Sequence, residues 1–209
     1  MAGIFAKVDA VSQETVEYAI VGASKFAAFC LDQFHAIDAL KPAAVWNRTA
    51  NKAYALARGR DLEVYEDLND MLGDPQVRFV HVATTPARHA EHTLAALAHG
   101  KHVFCEKPIA TKLADAQAVV READRRGLRL GVNFVMRYGP LVLPFKEVID
   151  SQVLGAPLRG IFTNRAGVGG LPEEHWFWDE AESGGIFVEH GVHFFGERSV
   201  KYILRVVLG

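Results

Sequence analysis

The chain has 209 residues, half of them hydrophobic and fewer than a quarter charged, so a packed core is within reach and wholesale disorder is excluded. Lys plus Arg number 23 against 25 Asp plus Glu, which leaves neither a basic footprint for nucleic acid nor a polybasic patch for an anionic membrane. Two cysteines, Cys30 and Cys105, sit singly in apolar runs, a usage that fits a reducing compartment rather than a disulfide framework. No run approaches the roughly 18 apolar residues of a membrane span, and the charged, interrupted N-terminal segment lacks a signal-peptide core. The expectation is a cytoplasmic protein that binds neither nucleic acid nor membrane.

Read in chain order, Tyr18 to Val21 is a short strand that stops at Gly22. Ala23 to Phe34 has helical spacing, with Phe26, Phe29, Cys30 and Phe34 expected on the inward stripe. Ala43 to Trp46 reads as a strand, Lys52 to Arg58 as a helix stopped by Gly59, and Tyr65 to Leu72 as a short helix closed by Gly73-Asp74-Pro75. Phe79 to Ala83 is a buried-strand pattern, followed by Thr85 as N-cap, Pro86 at the first helical position and a helix running to Gly100. Val103 to Cys105 is a strand. Thr111 is expected to cap a helix ending at Gly127, and Leu128 to Phe134 forms the last strand of the unit.

Strands alternating with helices through short turns give a parallel sheet covered on both faces. These five strands fit the doubly wound α/β nucleotide fold, the Rossmann domain, whose six strands are expected over this span. The boundary is placed after Asn133, giving a dinucleotide-binding domain over 1–133 and a short, incomplete α+β substrate domain over 134–209. The second part reads as a helix from Val142 to Ile149, a strand from Arg159 to Thr163, and a loop rich in glycine and aromatic residues.

The stretch Gly22-Ala23-Ser24-Lys25-Phe26-Ala27 stands where a phosphate-binding fingerprint belongs, between first strand and first helix. Gly22 allows the sharp turn, Ala27 is small enough for close helix packing, and Ser24 replaces the second glycine. Gly22, Ser24, Lys25 and Phe26 are therefore candidate cofactor-binding residues. After the second strand, where an acidic residue would hold the ribose 2′-hydroxyl of NAD, the chain has Asn47-Arg48. Asn47 cannot repel a 2′-phosphate and Arg48 can pair with one, so NADP is favoured over NAD.

The string Gly100-Lys101-His102-Val103-Phe104-Cys105-Glu106-Lys107-Pro108 is the most specific in the chain. Lys107 stands at the carboxyl end of a parallel strand, where open α/β sheets bind ligands, and its ammonium can stabilise charge on a substrate oxygen. Pro108 would fix the backbone that aims it, through a cis bond. Further along, Glu189 and His193 are four apart, which on a helix puts both on one face and makes His193 a candidate general base. A nearby Glu189 carboxylate is expected to favour the charged imidazole and raise its pKa. His190 is read as structural, pointing elsewhere, while Asn133 and Arg137 line the crevice and Trp176 and Trp178 pack or wall a substrate pocket.

With Thr84, Thr85, Pro86 and His89 upstream, and Ser183 to His193 downstream, these strings resemble the glucose–fructose oxidoreductase and inositol dehydrogenase family. The resemblance covers roughly residues 18–195. It implies binding of NADP(H) or NAD(H) by Gly22, Ser24, Lys25, Phe26, Asn47, Arg48, Thr84, Thr85, Pro86, His89, Glu106 and Lys107. It also implies catalysis by Lys107, His193 and Glu189, where many members carry aspartate at the position of Glu189. The implied reaction moves hydride between the cofactor and a sugar, polyol or related hydroxy compound, in a homo-oligomer. No metal site is expected from the Glu189–His190–His193 or His89–His92 groups. The family continues well beyond a Rossmann domain into a large antiparallel sheet, whereas residues 197–209 do not match it and Gly196 replaces a usual aspartate. The alternative is a non-catalytic dinucleotide-binding or interaction protein whose second domain is too short to close a site.

Overall fold

The structure, a computed structural model, describes residues 15–140, 142–156 and 170–193. Six strands carry the fold: β1 Val16–Val21, β2 Leu40–Trp46, β3 Glu63–Tyr65, β4 Phe79–Val82, β5 His102–Glu106 and β6 Leu130–Asn133. They form one sheet in the order β3-β2-β1-β4-β5-β6, with every neighbouring pair parallel. Between them run α1 Lys25–Phe34, α2 Ala50–Ala57, α3 Leu68–Gly73, α4 Pro86–Ala98 and α5 Leu113–Arg126. This order reverses between β1 and β4, so the loops leaving these two strands diverge and open a crevice at their carboxyl ends.

The alternation of residues along β1 explains why both faces need helices. Tyr18 and Ile20 pack with Ala27 and Leu31 of α1 and Ala53 of α2 on one side. Ala19 and Val21 pack on the other with Met71 and Leu72 of α3, Leu97 of α4 and Val119 of α5. A strand buried on both faces has no polar alternation to display, which is why it reads as a continuous apolar run. Pro42, which donates no hydrogen bond, sits in β2 beyond the stretch paired with β3 and beside an irregularity in the β1–β2 register.

Several local expectations shift. In α1 the buried stripe is Ala27, Cys30 and Leu31, while Phe26 and Phe29 are 43% and 54% exposed and lie ring to ring, 5.7 Å apart. Cys30 is buried and Phe34 packs against the core as expected, but at Phe26 and Phe29 the stripe is displaced by one residue, about 100° around the helix, where side-chain size pointed to the wrong face. The segment expected as a helix from Tyr65 begins instead as β3, and α3 starts at Leu68 because Asp67 caps it, accepting from Asn69 N at 2.6 Å and Asp70 N at 3.2 Å. Lys112, not Thr111, occupies the N-cap of α5. Gly127 ends that helix in the left-handed conformation, as expected.

After β6 the chain makes a 3₁₀ turn at Val135–Tyr138 and α6 at Val142–Asp150. A further 3₁₀ turn at Trp176–Trp178, the short helices α7 Glu180–Ser183 and α8 Ile186–Glu189, and a last 3₁₀ turn at Gly191–His193 follow. The expected strand at Arg159 to Thr163 and the tail after His193 lie outside the described residues. No helix among the described residues is long and apolar enough to cross a membrane.

Candidate functional site

The crevice begins at Gly22, whose N–H donates to Trp46 O at 2.8 Å. Its φ of +112° suits glycine, and a Cβ there would stand 2.6 Å from Ala83 O and 2.7 Å from Ala83 C. The turn out of β1 is thus pressed directly against the turn out of β4, at the point where strand order reverses. Ser24 does not leave the loop open in the way a second glycine would. Its hydroxyl donates to Ala83 O at 3.3 Å and accepts from Ala27 N at 3.0 Å, capping α1. The N–H groups of the first turn of α1, from Lys25 and Phe26 onward, have no intrahelical acceptor and carry the positive end of the helix dipole. Such a loop fits a pyrophosphate, so the residues present suit a dinucleotide.

Asn47 and Arg48 follow β2. The Asn47 amide is spent on backbone, Oδ1 accepting from Ala23 N at 3.1 Å and Nδ2 donating to Thr49 O at 3.0 Å. It therefore holds the β2 turn against the β1 turn. Arg48 is exposed at the same edge. Thr84 Oγ1 and His92 Nδ1 lie 3.1 Å apart, and the His92 ring meets Trp46 edge-on with centroids 5.5 Å apart. Thr85 is the N-cap residue of α4, as expected, but its Oγ1 makes no capping bond and instead donates to Glu182 Oε2 in α7 at 2.7 Å. Pro86 occupies the first position of α4, as expected. His89, one turn in, is 1% exposed, with Nδ1 2.6 Å from Pro108 O and Nε2 3.1 Å from Thr84 O.

Glu106 ends β5 with its carboxylate buried. Its Oε1 lies 2.9 Å from His81 Nε2, accepts from Asn133 Nδ2 at 2.8 Å and from the Cys30 thiol at 3.6 Å. Cys30 Sγ, His81 Nε2 and the Glu106 carboxylate oxygen all lie within 4.8 Å of one another, a set of metal-ligand type in buried surroundings. One carboxylate oxygen, Oε1, is contacted by Cys30, His81 and Asn133, and burial with the Glu106 charge pushes the Cys30 thiol up to about 12. The cluster works as a hydrogen-bonded anchor for the carboxylate. Cys105 is likewise pushed up by burial, to about 12, and so remains a thiol.

Lys107 follows, with its peptide bond to Pro108 cis as expected. Its Nζ donates to Glu189 O at 2.9 Å and forms an ion pair with Glu189 Oε1. The pairing brings together residues 82 apart in sequence, and both side chains are largely withdrawn from solvent. Glu189 is the last residue of α8, while His193 lies in the following 3₁₀ turn, so the two do not share one helical face as expected. Nor does His190 point away: its Nδ1 is 3.5 Å from Glu189 Oε2 and its ring is 5.8 Å from that of His193. Burial first, then the charges of Lys107 and His190, hold the His193 imidazole down to about 4; Glu189 and Glu106 pull the other way. The expected upward shift is reversed because burial, with the charges of Lys107 and His190, outweighs the pull of Glu189. Beside this group a cavity of about 350 Å³ is lined by Phe177, Trp178, Ser183, Ile186 and Glu189. Trp178 lines it while its indole N–H donates to Pro172 O at 3.0 Å. Arg137 lies over the Phe134 ring, 4.7 Å from its centre.

Sequence reading missed Cys30, His81 and Glu182 as parts of the site. Cys30 and His81 lie 76 and 25 positions from Glu106, and each is embedded in an apolar stretch that looks like core. No spacing rule could have linked them.

A parallel six-stranded sheet in this order, with a glycine turn at the strand reversal and a capped helix behind it, defines a dinucleotide-binding Rossmann domain. The model of the Gfo/Idh/MocA oxidoreductase family, NAD-binding Rossmann fold, matches residues 16–134, and the chain belongs to that family. The chain is 38% identical over 123 residues to inositol 2-dehydrogenase 3 of Saccharopolyspora erythraea, a match covering 58% of this chain and 36% of that protein. It is 39% identical over 106 residues to 1,5-anhydro-D-fructose reductase of Ensifer adhaerens, covering 51% and 32%. Among solved structures, myo-inositol dehydrogenase from Lactobacillus casei, in complex with NAD(H) and myo-inositol, is 28% identical with a TM-score of 0.66, over 73% of this chain and 47% of that one. The chain thus spans about a third of the length of these curated relatives.

Proposed function

We propose that this chain carries the cofactor site and catalytic lysine of an oxidoreductase that moves hydride between NADP(H) or NAD(H) and a CH–OH group of a sugar or polyol. The observation that carries the reading is the Lys107 ammonium, set at the carboxyl end of β5 beside the strand reversal and directed at Glu189. The dinucleotide, when bound, accepts or donates the hydride. The chain supplies orientation and proton handling. Gly22, Ser24, Lys25 and Phe26 form the phosphate turn, and Thr84, Thr85 and Pro86 form the facing wall. Arg48 stands at the ribose edge, where a 2′-phosphate would find a bidentate partner, so NADP(H) is the preferred form. Asn47, Glu106 and His89 belong to the cofactor site as the residues that hold its loops.

In this reading Lys107 binds the reacting oxygen and stabilises the charge that grows there. Glu189 keeps the ammonium aimed until a hydroxyl takes its place as acceptor. His193, neutral across the ordinary pH range, accepts the hydroxyl proton directly or passes it on. Support for a sugar or polyol comes from the names of the relatives, inositol 2-dehydrogenase and 1,5-anhydro-D-fructose reductase. The test is fluorescence titration of the chain with NADPH and NADH, followed by a polyol and sugar turnover screen. Saturable NADPH binding with turnover is the expected result. No binding of either nucleotide would overturn the reading, and tight binding without turnover would assign the chain a non-catalytic, dinucleotide-binding role.

A further inference from the structure

Lys107 is bracketed by two buried imidazoles that play no part in the proton transfer described above. On its upstream side the Glu106 carboxylate is fixed by His81. On its downstream side the carbonyl of Pro108 faces His89 Nδ1 at 2.6 Å, the shorter of the two carbonyl contacts of that ring. His89 belongs to α4, the helix that starts at Pro86 immediately after the cofactor-facing Thr84–Thr85 segment. Its ring is 1% exposed and closed off from solvent.

A neutral imidazole has one N–H and one lone pair, so it can donate to only one of two carbonyls. Burial favours the neutral ring here, against the two carbonyls and Glu106. Of the two contacts, the one to Pro108 O is the shorter, which assigns an N–H to Nδ1.

We propose that His89 is a positioning residue for Lys107: its Nδ1–H holds Pro108 O and so fixes the turn that aims the ammonium, tying that turn to the helix that opens at the cofactor wall. The inference rests on the reading of Lys107 as the group that binds the reacting oxygen. It adds that the aim of Lys107 depends on one hydrogen bond from a side chain closed off from solvent.

Two amide substitutions separate this role from packing. The side-chain nitrogen of asparagine overlays Nδ1 of histidine, and that of glutamine overlays Nε2. His89→Asn therefore keeps the donor to Pro108 O, and His89→Gln does not. Packing predicts the opposite ranking, because glutamine is closer to histidine in size. The readout is the rate of Lys107 acetylation by an N-hydroxysuccinimide ester in the full chain, followed by mass spectrometry and normalised to the other lysines. Wild type and His89→Asn should react at similar rates. His89→Gln and His89→Leu should react about fivefold faster, the population shift given by loss of a hydrogen bond worth about 1 kcal/mol. Equal rates in the Asn and Gln variants, or a slower Gln variant, would overturn the proposal. Should the variants fail to fold, the ¹⁵N spectrum of the wild-type imidazole still decides: a proton on Nδ1 supports it, and a proton on Nε2 alone overturns it. Neither readout uses cofactor or turnover, so absence of NADPH binding would defeat the functional reading while leaving this one standing or falling by itself.

Discussion

Replacing Gly22 with alanine tests the geometry at the strand reversal most directly. Two penalties add there. The first is backbone strain at a φ of +112°, of the order of 1–3 kcal/mol for a residue with a Cβ. The second is a Cβ placed 2.6 Å from Ala83 O and 2.7 Å from Ala83 C, both backbone atoms of the chain leaving β4. Neither can rotate away, so the two turns must part, at a cost of about 1–3 kcal/mol for overpacking. Gly59 supplies the control: its φ is +73° but nothing lies within 4 Å of an added Cβ, so alanine there meets strain alone, about 1–2 kcal/mol. At roughly 2–4 °C per kcal/mol for a chain of this length, Gly59→Ala should lower the melting temperature by about 4 °C and Gly22→Ala by about 10 °C. NADPH affinity should drop at least about tenfold in Gly22→Ala, a loss of about 1.4 kcal/mol, and stay unchanged in Gly59→Ala. The assays are thermal unfolding by circular dichroism and nucleotide fluorescence titration. If Gly22→Ala melts no lower than Gly59→Ala and binds NADPH as wild type does, the contact between the two turns is not the constraint inferred here.

Lys107→Met should strand the buried Glu189 carboxylate, costing about 3 kcal/mol in denaturant melts, and Lys107→Met/Glu189→Gln should recover part of it; an additive double variant would refute the coupling. Lys107→Met should also leave NADPH affinity nearly unchanged while abolishing turnover, as expected of a group that acts in the transition state. The His193 imidazole titrates at about 4 when folded and about 6.5 when unfolded, so the unfolded chain binds more protons between these values. Stability is complete above pH about 6.5 and falls as the pH is lowered toward 4; His193→Asn should lose that part of the acid sensitivity in urea melts at pH 7 and pH 5. Oxidative turnover should likewise show no His193 limb near pH 6.5, and His193→Asn should lower kcat by roughly 10²–10⁴-fold. Arg48→Ala should weaken NADPH about tenfold or more with little effect on NADH in the same titration, and equal losses would remove Arg48 from the 2′-phosphate site.

The nucleotide domain was legible because its signals are local. Apolar runs bounded by glycine, the Thr85-Pro86 helix start and the Gly127 stop each act within a few residues, and their alternation leaves little choice but a parallel doubly wound sheet. Local reading failed where two local solutions compete. β3 is only three residues long, too short for a periodic signal, and the stripe of α1 could be drawn through Phe26 and Phe29 or, one residue over, through Ala27, Cys30 and Leu31. The sheet chose the smaller residues because α1 must lie close to β1. At the site, sequence marked Gly22, Glu106, Lys107, Glu189 and His193 by motif, but a motif carries no distances. Only the tertiary structure placed Cys30 and His81 on Glu106, turned Asn47 and His89 toward backbone rather than outward, and set Lys107 on Glu189. Burial, then the nearby charges of Lys107 and His190, is also what moves His193 down rather than up. Through-space charge and desolvation depend on which elements meet, and no spacing along the chain encodes them.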